Sequence, residues 1–285
     1  MIQIQIQIQR LSATVLHGPC RRLLSSSSTS SSTPIIMANV LQGPSLVHTT
    51  LHRSSPSMMF LPGLRSLPFW TSDGRVAYQD PTVSHIVQYL EESASAITKE
   101  YKTKQNQVFS DYDITSRGGE HALDSLHTGK WDWHSYMLKG NVQGHFVQHF
   151  PTTATILQTL RDQGHLFEGT PFGFSFLSKL YGKATIQSHT SPINFRLRVH
   201  VPLIVPKEGD VGIRVGPVVQ KWKEGKAMVL DDSYNHEVWN HSHQERVLLL
   251  VDIWHPDVTL IEREQIVTMF AHAQEQGWLG NNPAK

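Results

Sequence analysis

The stretch HTSPINFRLRVHVPL, residues 189–203, decides the fold of this chain. Within it, Phe195 and the apolar residues at every second position after it alternate with Arg196, Arg198 and His200. A period of two is typical of a β-strand, because successive side chains point to opposite faces of a sheet. The polar face of this strand either meets solvent or forms a cationic pocket suited to a dicarboxylate, and the strand by itself leaves both interpretations open.

Strand-like runs continue on both sides of this stretch, from residue 172 to residue 254. The runs are FGFSFLS, ATIQS, FRLRVHV, GIRV, VVQKW, AMVLDD, HEVW and RVLLLVDIW, separated by Gly, Pro, Asn or Lys-Glu-Gly turns. Short strands with turn signals at such regular spacing predict a jelly roll or barrel and not a sheet built from β-α-β units. We therefore expect a mainly β fold with supporting α-helices.

Two helices are predicted before these strands. Asp80 followed by Pro81 is typical of a helix start, and an apolar stripe follows it. Thr152 or Thr153 is expected to cap a second helix that stops near Gly164. Both helices are expected to form a layer on the sheet.

A third helix is predicted after the strands. Thr259 and Glu262 have the spacing of a capping box. Ile266, Met269 and Phe270 follow as an apolar stripe that we expect to be buried.

Residues 101–140 lack a clear period, and we expect irregular structure there. Trp131 and Trp133 lie close together in this region. Tryptophans placed in this way favour one buried ring and one ring at the rim of a groove, and the sequence does not decide which is which.

The composition indicates an ordinary globular protein. The 285 residues carry a net charge of +1 with neutral histidines, and 39% of them are hydrophobic, which suffices for one sizeable core or two small ones. No apolar run approaches the ~20 residues of a membrane-spanning helix, and no basic patch of the kind that binds nucleic acid occurs. The only cysteine is Cys20, so disulfides and thiolate metal sites are excluded from the rest of the chain.

Residues 1–40 have the composition of a targeting segment. They contain arginines, a serine tract and no acidic residue, which is typical of a mitochondrial or plastid transit peptide. The alternatives are a disordered tail on a cytoplasmic protein and a leader upstream of a start at Met37. Residues 41–75 are expected to be a flexible linker and residues 76–285 the folded domain, so residues 1 to about 70 are expected to be dispensable.

Two histidines stand at the ends of predicted strands, His189 closing one and His236 opening another. Histidines contributed by separate strands suit a transition metal, although most of the 17 histidines of this chain must be surface or core groups. Arg246 begins an apolar run and is expected to be buried, where its planar fork matches a carboxylate. It would hold the far carboxylate of a small acid bound to the metal.

The alternative for Arg246 is a structural ion pair with a nearby acid. The candidate acids are Asp231, Asp232 and Glu237. One of the two aspartates is alternatively expected to orient a metal-binding histidine through its second ring nitrogen.

Three longer motifs follow one another along the second half of the chain. They are FRLRVHVPLIVPKEG at 195–209, KWKEGKAMVLDDSYNHEVWN at 221–240 and RVLLLVDIWHPDVT at 246–259. Together they resemble the catalytic domain of the aspartyl/asparaginyl β-hydroxylase family, a group of iron(II) and 2-oxoglutarate dependent oxygenases. The resemblance implies a double-stranded β-helix, which is a cupin-like jelly roll, with Fe²⁺ as the metal and 2-oxoglutarate and O₂ as cosubstrates.

The resemblance also implies roles for individual residues. His189 and His236 would bind the metal. Ser178, Arg198, His200 and Arg246 would bind 2-oxoglutarate.

Ser191 departs from the expected pattern. Iron(II) oxygenases of this kind usually carry Asp or Glu two residues after the first histidine ligand, and the family that this chain resembles has glycine there. The hydroxyl of Ser191 would bind a water in the position of the carboxylate or crowd that position. We expect Ser191→Asp to tighten iron binding and to lower turnover.

The resemblance implies hydroxylation of an unactivated carbon, most simply the β-carbon of Asp or Asn in a polypeptide. Two alternatives stay open. Related domains hydroxylate the acyl chains of a lipid. A decayed site marked by Ser191 would instead leave a non-catalytic module that binds a small acid or a metal.

Overall fold

The computed structural model describes residues 59–72, 75–107, 110–111 and 126–279, so the predicted transit peptide lies outside the described residues. The strands are β1 Thr71–Ser72, β2 Arg75–Val76, β3 His127–Thr128, β4 Trp131–Leu138, β5 Asn141–Val142, β6 Phe174–Leu180, β7 Ala184–His189, β8 Arg196–Ile204, β9 Val211–Val215, β10 Val218–Gln220, β11 Met228–Leu230, β12 His236–Asn240 and β13 Arg246–Trp254. The helices are α1 Pro81–Lys104, α2 Gly144–His149, α3 Pro151–Asp162 and α4 Leu260–Glu275.

Two antiparallel sheets face each other and enclose the inner core. One sheet has the strand order β10-β9-β12-β7-β3, and the other has the order β11-β8-β13-β6-β4-β5. Phe176 and Leu248 from the second sheet belong to one buried cluster with Ile213 and Val238 from the first. This arrangement confirms the predicted jelly roll, and the eight strands predicted from the sequence are present as β6 to β13.

Helices α1 and α3 cover the outer face of the six-stranded sheet. Ile86 and Leu90 of α1 and Leu157 of α3 form a buried cluster with Leu197 and Val199 of β8. Strand β8 is therefore buried on both faces, and its polar side lies in the interior between the sheets and not in solvent. In the described ranges, no helix combines the length and the apolar character that crossing a membrane requires.

Both flanking helices begin as their sequences predict. At the start of α1, the Asp80 carboxylate accepts hydrogen bonds from the backbone N–H groups of Thr82 and Val83, each at 3.0 Å. At the start of α4, Thr259 and Glu262 form the reciprocal capping box. Each cap satisfies N–H groups that have no partner within the helix.

Helix α3 begins two residues earlier than a Thr152 cap would place it, and it lacks a threonine cap. Pro151 is its first residue, and Thr152 and Thr153 lie in the first turn. Their backbone N–H groups both donate to the Glu100 carboxylate of α1 at 2.8 Å. A cap supplied by another helix leaves no local signal, so the sequence prediction of the cap was wrong. Gly164 follows the helix with a φ of 70°, as its predicted role as a stop requires.

The predicted apolar stripe of α4 is only partly buried. Phe270 is buried and packs against Phe172 with ring centroids 5.3 Å apart. Ile266 is half-buried, whereas Met269 is 48% exposed. Successive helical residues point about 100° apart, so Met269 turns away from the barrel when Phe270 faces it.

Strand β4 was missed in the region that was expected to be irregular. It pairs with β6, and both Trp131 and Trp133 are buried on its inner side. Tyr136 is buried on the other side, against the helices. A strand buried on both faces shows no alternation of polar and apolar residues, which explains why its period is hidden.

The described part of the expected linker is not a linker. Residues 59–72 pack along the barrel, with Trp70 fully buried and Phe69 paired with Leu230 of β11. Arg65 holds the segment in place through a salt bridge with Asp257. The folded domain therefore begins at residue 59 or earlier. The sequence prediction missed this because the Ser/Pro/Gly-rich composition conceals two buried aromatic side chains, Phe69 and Trp70.

Candidate active site

The predicted site residues meet in one cavity between the two sheets. Its empty volume is about 470 Å³, including its open mouth. The six predicted residues that line it are Ser178, His189, Arg198, His200, His236 and Arg246. They come from β6, β7, β8, β12 and β13, so the cavity depends on the pairing of strands that are distant in sequence.

The two histidines sit side by side on neighbouring strands. His189 of β7 and His236 of β12 are directly opposite each other in the antiparallel register. Their ring centroids are 4.1 Å apart and their planes are inclined by 52°. Side chains opposite each other in a sheet point to the same face, and here that face is the cavity.

Each of these imidazole rings is oriented by a backbone carbonyl. The Nδ1 atom of His189 lies 2.6 Å from the carbonyl oxygen of Gln187, and the Nδ1 atom of His236 lies 2.9 Å from that of Tyr234. A carbonyl only accepts, so each Nδ1 carries the proton and donates it, and each Nε2 keeps its lone pair. Burial lowers the pKa of both histidines, which favours the neutral form that binds metals.

This donor pattern fits a metal held by two histidines. An outer hydrogen bond from the second ring nitrogen is typical of histidine ligands. The expectation that an aspartate orients one of these rings was wrong, since backbone carbonyls do so. Within the described ranges, no three or more His, Cys, Asp or Glu side chains are grouped to hold a metal ion.

Arg246 is a buried cation without a buried anion. It is 1% exposed, and its guanidinium carbon lies 5.0 Å from the centroid of the Trp222 ring. One guanidinium N–H donates to the Ser178 hydroxyl at 3.4 Å. Its Nε atom has no hydrogen-bond partner. Burial lowers the pKa of Arg246 to about 9, which is the direction expected for a charge without a counterion.

The acids proposed as partners of Arg246 are engaged elsewhere. Asp232 pairs with Arg196 at 2.6 Å, and Glu237 pairs with Arg214 at 2.7 Å. The Asp231 carboxylate accepts from the backbone N–H of Ser233 at 2.9 Å. Among the described residues, Arg246 therefore forms no ion pair, and the structural alternative for it was wrong.

Arg198 lines the cavity with its charge already balanced. Its guanidinium donates to both oxygens of Asp252, at 2.7 and 2.9 Å, and lies 3.3 Å from Asp232. Burial disfavours its charge, but the two aspartates outweigh that effect and raise the pKa of Arg198. Arg198 is therefore less available to an added anion than Arg246.

A family model of the aspartyl/asparaginyl beta-hydroxylases matches residues 91–256 of this chain. The chain belongs to this family. Every predicted site residue lies inside the matched range, and so does every strand of the two sheets that enclose the cavity.

Individual relatives match different shares of this β-hydroxylase family member. The human aspartyl/asparaginyl beta-hydroxylase is 29% identical over 209 residues, which are 72% of this chain and 25% of the relative. The ornithine lipid ester-linked acyl 2-hydroxylase of Rhizobium tropici is 47% identical over 72 residues, which are 25% of this chain and 26% of the relative. This chain thus spans about a quarter of the human and mouse relatives' length. A prolyl-4-hydroxylase structure from Pseudomonas putida is 11% identical with a TM-score of 0.36, over 58% of this chain and 87% of that chain.

Two tryptophans contact polar residues of the cavity in this β-hydroxylase family member, and no binding role was predicted for either from the sequence. The Trp131 indole N–H donates to the Ser178 hydroxyl at 2.9 Å, and the Trp222 indole N–H donates to Nδ1 of His200 at 3.3 Å. Burial lowers the pKa of His200, and a neutral ring that accepts at Nδ1 carries its proton on Nε2. His200 is thereby held as a hydrogen-bond donor. The only sequence signal was that Trp222 lies in one of the family motifs.

Ser191 does not line the cavity of this family member. It is 2% exposed, and its hydroxyl accepts from the Arg196 guanidinium at 3.3 Å. Its backbone N–H donates to the carbonyl of Asp232 at 2.8 Å. The hydroxyl is thus bonded to Arg196 of the buried ion cluster and does not line the cavity.

Proposed function

We propose that this protein is an iron(II) and 2-oxoglutarate dependent dioxygenase that hydroxylates an unactivated carbon. The observation that carries the proposal is Arg246, a buried guanidinium that lines the same cavity as the histidine pair and has no carboxylate partner among the described residues. A buried charge without a partner is costly. A ligand that brings a carboxylate to it explains why the charge is kept.

The donor atoms suit the metal and the cosubstrate together. His189 and His236 would hold Fe²⁺ through Nε2, because Nδ1 of each ring is taken by a carbonyl. Arg246 and Ser178 would bind the distal carboxylate of 2-oxoglutarate, and His200 would donate its Nε2–H to the same molecule. The iron, 2-oxoglutarate and O₂ supply the oxidising chemistry, while the protein supplies binding, orientation and polarity.

The surroundings of Arg246 strengthen its attraction for a carboxylate. Phe176, Leu230 and Leu250 line the same cavity and give it apolar walls. Charge-assisted hydrogen bonds are stronger in such surroundings than in water. The Trp131 N–H bond to Ser178 fixes the serine oxygen, so its proton is free to point to the ligand.

The substrate we propose first is the β-carbon of an Asp or Asn residue in a polypeptide, on the similarity to the human aspartyl/asparaginyl beta-hydroxylase. The second candidate is the acyl chain of a lipid. The higher identity over a short range to the Rhizobium tropici acyl 2-hydroxylase favours it. The mass of the product separates the two, as one added oxygen on a peptide or on a lipid.

Turnover of 2-oxoglutarate to succinate by the purified protein with iron(II) and ascorbate tests the activity itself. Succinate formation that requires both iron and oxygen supports the proposal. Binding of 2-oxoglutarate with no succinate formed, with either substrate class present, would favour the non-catalytic module.

The destination of the chain is a separate proposal. The composition of residues 1–40 supports transport to a mitochondrion or plastid. A fluorescent fusion with and without these residues tests it, and an unchanged cytoplasmic signal in both would contradict it.

A further inference from the structure

The N-terminal strap, by which we mean residues 59–72, contacts the two loops that adjoin the candidate metal ligands, and we call these loops the metal loops. One loop, residues 190–195, follows His189, and the other, residues 231–235, precedes His236. The backbone N–H of Met59 donates to the carbonyl of Pro192 at 3.0 Å, and the backbone N–H of Asp231 donates to the carbonyl of Pro68 at 3.2 Å. The strap therefore touches both loops through main-chain bonds.

A reciprocal pair fixes the loop after His189. The backbone N–H of Leu61 donates to the Asn194 side-chain oxygen at 2.8 Å, and the Asn194 amide donates back to the carbonyl of Leu61 at 2.9 Å. Asn194 is 4% exposed. An amide that exchanges two hydrogen bonds with one backbone residue holds the strap and the loop in a single register.

Ser66 connects the strap to the loop before His236. Its hydroxyl lies 2.9 Å from the hydroxyl of Tyr234 and 3.3 Å from the Asp231 carboxylate. Tyr234 is fully buried, and its carbonyl oxygen accepts the Nδ1–H of His236. One residue, Tyr234, thus joins the strap hydroxyl to the ring of a candidate metal ligand.

The strap is itself anchored on the domain, so it can hold the two metal loops in place. Arg65 forms salt bridges with Asp257 at 2.5 Å and with Asp80 at 2.7 Å. The two metal loops are also tied together by the bond from the Ser191 N–H to the Asp232 carbonyl. A shift of one loop would therefore displace the other.

We propose that the strap is part of the metal site and that Ser66 is a positioning residue for His236, acting through Tyr234 and Asp231. The inference rests on the proposed function, because it takes His236 to be a metal ligand. Outer hydrogen bonds fix the ring orientation of a histidine ligand, and losing such a partner lowers metal affinity. A strap that only stabilised the fold would have no such effect.

The strap offers a matched control for this claim. Thr71 lies on the same strap, and its hydroxyl accepts from the backbone N–H of Val229 in strand β11 at 3.0 Å and not from a residue of either loop. Ser66→Ala and Thr71→Val each remove one hydroxyl from the strap, and Ser66→Thr restores the hydroxyl at residue 66. All three are made in the full chain and titrated with Co²⁺ alone, and the midpoint of urea unfolding is measured without metal.

We expect Ser66→Ala to weaken Co²⁺ binding about tenfold, at the lower end of the cost of losing an outer partner of a ligand. It should also alter the visible absorption of bound Co²⁺, while Thr71→Val and Ser66→Thr keep the affinity and spectrum of the wild type. Equal Co²⁺ affinity in Ser66→Ala and Thr71→Val would overturn the role of Ser66 and leave the proposed function standing. Failure of the wild type to bind Co²⁺ would overturn both.

Discussion

His189 and His236 face each other across the β7–β12 pair, with ring centroids 4.1 Å apart and each Nδ1 bonded to the carbonyl of the residue two positions earlier. The same local hydrogen bond occurs at the end of β7 and at the start of β12. It sets both rings in one tautomer and leaves two Nε2 lone pairs at the cavity. A metal site with two protein ligands is the arrangement that this relationship supports.

Replacing Arg246 should weaken the binding of 2-oxoglutarate and at the same time stabilise the fold. Arg246→Met is expected to weaken 2-oxoglutarate binding by about 2–5 kcal/mol, the usual cost of stranding one member of a buried charge pair, without changing metal affinity. The same variant should raise the free energy of unfolding of the ligand-free protein. The reason is that burial lowers the pKa of Arg246 in the folded state, so its charge opposes folding at every pH below that value.

Arg246→Lys is the control, because it keeps the charge and loses the planar fork. It should bind 2-oxoglutarate with intermediate affinity and gain little stability. Calorimetric titration and urea unfolding measure the two quantities. Equal loss of 2-oxoglutarate and metal affinity in Arg246→Met would mean that the arginine supports the whole site and not the carboxylate.

Ser191 should matter little to the metal. Its hydroxyl is bonded to Arg196 and it is 2% exposed, so we expect Ser191→Gly to leave Co²⁺ affinity unchanged. For the same reason Ser191→Asp should place its carboxylate beside Arg196 and should not tighten iron binding, which revises the expectation from the sequence. Tightening of about tenfold or more, or about 1.4 kcal/mol, would show that the new carboxylate reaches the metal.

His255 should make stability depend on pH. It is fully buried, its Nε2–H donates to the carbonyl of Arg65 at 2.9 Å, and its Nδ1 accepts from the backbone N–H of Asp257 at 3.2 Å. Burial lowers its pKa, although Asp257 opposes that shift. Below about pH 6.5 the unfolded chain takes up this proton before the folded protein does, so the free energy of unfolding falls as the pH drops from there to the folded-state pKa.

His255→Gln should flatten this dependence when urea unfolding is compared at about pH 7.5 and about pH 5.5. His241→Gln serves as the control, since the side chain of His241 is 56% exposed. A slope unchanged in His255→Gln would assign the pH dependence to other groups.

The strap should be needed for stability, which revises the expectation that residues 1 to about 70 are dispensable and limits it to the residues before the strap. A chain that begins at residue 59 keeps Trp70 and Arg65, and a chain that begins at residue 73 loses both. Removing a buried tryptophan side chain alone costs about 3–5 kcal/mol, so the shorter chain should unfold at a much lower urea concentration. Equal unfolding midpoints for the two chains would show that the strap contributes nothing to the domain.

The sequence predicted the strands with clear periodicity and six of the residues that line the cavity. Arg198 and His200 were placed on one face by alternation alone, and the position of their strand between two layers decided which face that was. The resemblance to the family supplied the roles that spacing left open. Alternation along a strand and the family motifs are both signals carried by short stretches of sequence.

What the sequence missed depends on partners that are distant along the chain. Asp252 neutralises Arg198 from another strand, and Glu100 caps α3 from another helix. Trp70 was concealed in a segment whose composition is typical of a linker. No pattern within a few residues reports such contacts, because they exist only once the sheets and helices have assembled.

The most direct test of the account is the binding of 2-oxoglutarate with and without metal. Without oxygen, the wild type loaded with Co²⁺ should bind 2-oxoglutarate, and the metal-free protein should bind it much more weakly. His189→Ala and His236→Ala should lose the metal and, with it, the metal-dependent part of that binding, while His241→Ala behaves as the wild type. If both cavity variants bound Co²⁺ and 2-oxoglutarate as the wild type does, the paired histidines would not be the metal site and the proposed function would lose its basis.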